Sequence, residues 1–117
     1  LLVEECKSQK PTCIFLDQPT AYKKNISNQL KRRLWMTPPF QEYTVSLEDL
    51  IYLSEMYNSW LKQKVTINKL NFVTISDQIE PNTRHLFDDC HFTENGSEKL
   101  SDILTSYINK NFNLISN

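Results

Sequence analysis

One glycine, Gly96, serves the whole 117-residue chain. Tight turns need residues that tolerate positive φ, so this scarcity argues against an all-β sandwich or barrel with its many hairpins. Cysteine is sparse and odd in number: Cys6, Cys13 and Cys90 fit neither a zinc nor a redox spacing, and at least one thiol must lack a partner within the chain. No apolar run approaches the roughly 20 residues that a bilayer-spanning helix needs. The opening Leu1-Leu2-Val3 meets Glu4 and Glu5 at once, which predicts neither a transmembrane segment nor a signal peptide. An excess of one charge is missing as well. Thirteen Lys and Arg against fourteen Asp and Glu leave a net charge of −1, too little to draw the chain to nucleic acid or anionic lipid. None of these features selects a compartment.

What is present suffices for one domain: 39% of the residues are apolar, and the length is too short for two cores. Residues 1–10 read as the tail of a helix that Pro11 terminates. Thr12-Cys13-Ile14-Phe15-Leu16 is a short, almost continuous apolar run, the pattern of a strand buried on both faces of a parallel sheet. From 20 to 45 the pattern is irregular, with a helical turn expected around 26–34. Excursions of this length often cover functional sites. Ser46-Leu47-Glu48-Asp49 is a capping-box-like start, and apolar residues recur at helical spacing from Leu47 to about Lys64. The spacing assigns Tyr52, Tyr57 and Trp60 to the core of that helix.

Leu70 to Ser76, rich in β-branched and aromatic residues, reads as a second strand. Strand, helix and strand in this order form a βαβ unit with parallel strands and a right-handed crossover. A polar loop follows, and then a helix from about Glu94 to Asn111, with Thr93 at its mouth and Leu100, Ile103, Leu104, Tyr107 and Ile108 along one stripe. Two strands alone leave open edges and an open face. The chain therefore reads as part of a larger α/β domain.

Chemistry concentrates between the second strand and the last helix, in Asp88-Asp89-Cys90-His91. Open α/β sheets place their ligand crevice at this end of the strands. A carboxylate three residues before an imidazole can accept the Nδ1 hydrogen, fixing the tautomer and leaving Nε2 to take a proton from a hydroxyl nucleophile. Such a role requires Asp88 within hydrogen-bond reach of His91 Nδ1.

The block from Asp88 through His91-Phe92-Thr93-Glu94-Asn95-Gly96, followed by the amphipathic stretch 100–108, resembles the last motif of the SGNH, or GDSL, family of serine esterases, lipases and acyltransferases. Ile14 to Thr20 is similar to that family's fourth strand running into its pocket loop, and the helix with Tyr57-Asn58 to the one joining its fourth and fifth strands. The resemblance implies a three-layer α/β/α, flavodoxin-like fold with a parallel sheet, of which residues 1–117 supply only the C-terminal strands and helices. It implies Asp88 as the orienting acid and His91 as the base of a Ser-His-Asp triad, with no cofactor. The implied partners are an ester-containing small molecule, lipid or acylated sugar, and the remaining N-terminal part of the same domain. The Gly-Asp-Ser nucleophile block and the oxyanion-hole Gly and Asn of the family are absent from this sequence. Alone, the chain is expected to be inactive.

Simpler readings stand beside these. Asp89 is expected in solvent or as a charge at the helix mouth, where anions are favoured. A metal reading of His85, Asp88, Cys90 and His91 lacks a recurrent ligand spacing. Cys90 as nucleophile is set aside, because adjacent residues of an extended loop point apart. Lys31-Arg32-Arg33 reads as a solvated face. Leu34 to Phe40 reads either as ordinary packing or as an apolar lip over a pocket. The rival function is a non-catalytic binding or interaction module on the same scaffold.

Overall fold

Ser46 begins the longest helix as the sequence predicts, by accepting a hydrogen bond from the Asp49 N–H at 3.1 Å while its hydroxyl donates to the Asp49 carboxylate. One otherwise orphaned backbone donor is thereby satisfied. The computed structural model describes residues 2–9, 12–37 and 45–112. Its elements in chain order are α1 (Leu2–Ser8), β1 (Ile14–Leu16), α2 (Asn28–Lys31), α3 (Leu47–Ile67), β2 (Asn71–Val73) and α4 (Glu94–Phe112). Pro11 and residues 38–44 lie outside the described residues. The apolar-lip reading of 34–40 can therefore be followed only as far as residue 37.

The fold is mixed α and β, with a two-stranded parallel sheet in which Ile14, Phe15 and Leu16 face Asn71, Phe72 and Val73. This is the predicted βαβ pairing, with α3 as the crossover. Both strands are shorter than expected: β1 starts two residues later, after the disulfide-bonded Cys13, and β2 ends at Val73, where the following residues turn to other work. Asp17, buried at the end of β1, accepts from the Ile75 and Ser76 N–H groups at 2.5 and 3.0 Å and from the Ser76 hydroxyl at 2.5 Å. The carboxylate thus clamps the C-terminal ends of the two strands and ends the ladder.

α3 runs past Lys64 to Ile67 and closes in a Schellman motif, with Lys69 N–H donating to the Thr66 carbonyl and Leu70 N–H to that of Val65. Lys69 holds the left-handed φ of 57° that such an end demands, a place glycine usually fills.

α4 lays Leu100, Ile103 and Tyr107 against Ile14, Leu16, Val73, Ile75 and Ile79 to form one apolar cluster. A second cluster gathers Ala21, Leu30, Leu34 and Leu86, and Phe92 packs against both. The first lies against the sheet. The second supports the 20–34 excursion, whose only helical turn, α2, is capped by Ser27.

Two expectations about burial fail. Tyr52, Tyr57 and Trp60 are exposed, at 66%, 49% and 56%, because α3 buries only its Leu50–Ile51–Val65 side. Asp89 is fully buried rather than solvated. No helix among the described residues is long and apolar enough to cross a membrane.

Candidate functional site

The loop carrying Asp88 and His91 is held at its base by a short antiparallel bridge, Leu86 opposite Phe92, and by the Phe87 N–H donating to the His91 carbonyl at 2.8 Å. Thr93 then caps α4: its hydroxyl accepts from the Gly96 N–H at 3.2 Å and donates to the Arg84 carbonyl. Gly96 is needed here for space. A Cβ on it would lie 2.0 Å from the His85 carbonyl oxygen, so only glycine lets the first turn of α4 close on the bridge.

Within this frame residues 88–91 form a tight turn. Asp88 Oδ1 accepts from the Cys90 and His91 N–H groups at 3.1 and 3.0 Å, and both carboxylate oxygens lie 2.9 Å from His91 Nδ1. The Asp88 side chain is 14% exposed and that of His91 is 69% exposed. Burial by itself pushes the Asp88 carboxyl up. The backbone donors of His91 and Cys90, with the His91 ring, outweigh it and hold the group below its usual range. Asp88 is therefore an anion near neutral pH. It can fix the Nδ1–H tautomer and leave Nε2 toward solvent as the free base. The two predicted site residues are thus in hydrogen-bonded contact.

Asp89 points the other way. Its carboxylate accepts from the Tyr22 hydroxyl at 2.7 Å and from the Trp35 and Met36 N–H groups at 2.7 and 3.2 Å, and its carbonyl accepts from Ala21 N–H at 2.8 Å. Burial, then the hydrogen bond to Asp89, drives the Tyr22 phenol well above its ordinary range, so it stays a donor. Asp89 therefore docks the turn onto the segment leaving β1, and onto Trp35 and Met36. Sequence reasoning missed this role. The partners of Asp89 are more than fifty positions away, and no local pattern signals them.

Cys90 is the free thiol among the described residues, and Cys6 is bonded to Cys13. Burial and then the Asp88 and Asp89 charges push the Cys90 thiol up, which disfavours the nucleophilic thiolate. The expectation that Cys90 and His91 point apart does not hold: Asp88, Cys90 and His91 offer ligand-type atoms that all lie within 4.8 Å of one another. Among the described residues these three are the side chains grouped closely enough to hold a divalent cation such as zinc. His85 stands outside that group, with Nδ1 3.3 Å from the Glu80 carbonyl. Lys31, Arg32 and Arg33 are exposed, as a solvated face would be, with Arg33 over the Phe87 ring.

A cleft of about 320 Å³ opens beside Cys90, between α3 and the segment bearing Trp35 and Met36. A second hollow, of about 360 Å³, is lined from β2 and α4 and includes no residue of the 85–93 segment. Comparison with protein-family models, with curated proteins and with solved structures finds no match to this chain.

Proposed function

We propose that this chain supplies the base and orienting acid, His91 and Asp88, of an SGNH-type serine ester hydrolase or acyltransferase. The serine nucleophile and oxyanion-hole donors would come from outside the chain. One observation carries the reading: His91 Nδ1 lies 2.9 Å from both Asp88 oxygens, on a ring that is otherwise open to solvent. In the proposed reaction the serine Oγ attacks the ester carbonyl as His91 Nε2 takes its proton. The tetrahedral intermediate collapses as the imidazolium returns that proton to the leaving alcohol. Water then repeats the cycle on the acyl-enzyme, or a second alcohol takes the acyl group.

The proposed host is a three-layer α/β/α, flavodoxin-like domain of which residues 1–117 form the C-terminal part. Three features favour it. Among the described residues the sheet has two strands with open outer edges, and α3 exposes an aromatic stripe. The radius of gyration is 16.5 Å, where about 13 Å suits a compact domain of this length. The exposed stripe equally suits the rival, an interaction module without chemistry.

A serine-reactive fluorophosphonate on the full protein separates the two. Labelling is expected, and His91→Ala should abolish it with the circular dichroism spectrum unchanged. Absence of labelling favours the interaction module, and labelling that survives His91→Ala removes the base role.

A further inference from the structure

We propose that the cleft between α3 and the Trp35–Met36 wall is the seat of an unbranched apolar acyl chain, and that Asp89 is the residue that positions that wall. The inference rests on the hydrolase reading for its word acyl. The preference for an apolar chain rests on the cleft alone.

Among the described residues no charged side chain lines this cleft. Its surface comes from Trp35, Met36, Leu50, Leu53, Tyr57 and Cys90, together with Tyr22 and a polar edge. Trp35, Met36, Leu53 and Tyr57 are exposed and large, and Leu50 is buried at 6%. Clustered apolar exposure of this kind marks a binding surface. Part of the polar edge is already engaged within the protein. Gln18 N–H donates to Asn58 Oδ1 at 3.0 Å, Asn58 Nδ2 donates back to the Gln18 carbonyl at 2.9 Å, and the Thr20 and Ser54 hydroxyls lie 3.1 Å apart. A sugar needs several convergent polar groups with capacity to spare, and here the Asn58 amide and the Thr20–Ser54 pair are engaged within the edge itself. An adjoining hollow makes the contrast, since Asp17, Lys23, Glu55, Lys62 and Asp77 are among its lining residues. A charged or sugar-like moiety suits that adjoining hollow, and an alkyl chain suits the cleft. The volume of about 320 Å³ falls at the lower end of small-molecule sites.

The link to the chemistry is Asp89. Tyr22, Trp35 and Met36 all line the cleft, and all three donate to its one buried carboxylate. The neighbouring residue in the chain is Asp88. Wall and acid–base pair are therefore registered through a single peptide unit. A chain lying along the wall runs toward the turn that presents His91.

The test is direct binding to the intact chain. Trp60 does not line the cleft, so Trp60→Phe leaves Trp35 as the sole tryptophan and reporter. 11-Bromoundecanol should quench Trp35 saturably. Met36→Glu, a change at a partly exposed site, should weaken that binding at least tenfold, and N-acetylglucosamine should not compete. Asp89→Asn should weaken it as well, with the helical signal retained. Absence of saturable quenching, equal quenching in Met36→Glu, or competition by the sugar overturns the proposal. Quenching by a protein that the fluorophosphonate does not label keeps the cleft and removes the hydrolase reading. Labelling without quenching removes the cleft alone.

Discussion

Asp88 holds its place in the turn as an acceptor, and an acceptor of that kind must be ionised. Its carboxyl sits below the ordinary value of 3.8 because the folded turn presents two backbone N–H groups and an imidazole to the anion, more than burial takes away. A folded value below the unfolded one means that the unfolded chain binds the proton more tightly. The stabilisation is therefore complete above the unfolded carboxyl value, and is lost as pH falls through the folded one. Urea midpoints measured from pH 6 down to pH 2 should fall below about pH 4, and Asp88→Asn should flatten that part of the curve. A profile unchanged by Asp88→Asn would remove the assigned hydrogen bonds. This residue was legible in the sequence because its partners, Cys90 and His91, lie two and three positions away. Asp89 was not, because its partners Tyr22, Trp35 and Met36 lie 67, 54 and 53 positions away. No local pattern encodes a contact of that separation.

The helix starts carry local signals and were read correctly, as was the parallel pairing of β1 with β2, whereas the outward face of α3, which only tertiary packing decides, was not. Ser46 with Asp49 and Thr93 with Gly96 announce the starts of α3 and α4, and both caps form. The apolar residues of α3 occupy two adjoining stripes. Periodicity alone could not tell the one facing the sheet, Leu50, Ile51 and Val65, from the exposed one carrying Leu53, Tyr57 and Trp60. At α4 the decisive residue is Gly96, where two effects oppose. Alanine is the better helix former by about 1 kcal/mol. Its Cβ, however, would meet a backbone oxygen at 2.0 Å, which cannot rotate aside as a side chain would. Overpacking of this sort costs about 1–3 kcal/mol. A contact so far inside van der Waals distance with backbone takes the upper end of that range, so Gly96→Ala is expected to destabilise by about 2 kcal/mol net, and to loosen the 85–93 bridge that carries the turn. Chemical denaturation gives the first, and hydrogen exchange at the Thr93 N–H gives the second. A neutral or stabilising substitution would mean that α4 does not close on His85.

At the scale of the molecule the question is which parts unfold together. α1 buries none of its residues; among the described residues its covalent and polar side-chain ties to the rest are the Cys6–Cys13 bond and a 3.0 Å hydrogen bond from Lys7 Nζ to Asn68 Oδ1. With three cysteines the sequence left three pairings open, so this tether was not legible in advance. Restricting the unfolded chain by a loop this short contributes about 2–3 kcal/mol, if the loop orders together with the core. That condition is not met by a helix with nothing buried, which can fray while the α3–sheet–α4 core stays intact. Reduction, or a Cys6→Ser and Cys13→Ser pair, should therefore abolish exchange protection over residues 2–8. It should move the urea midpoint of the core by less than the equivalent of about 1 kcal/mol. A core loss near the full 2–3 kcal/mol would instead make α1 part of the cooperative unit. The open strand edges and the exposed side of α3 would then have to be weighed against a larger folded body than the two apolar clusters define.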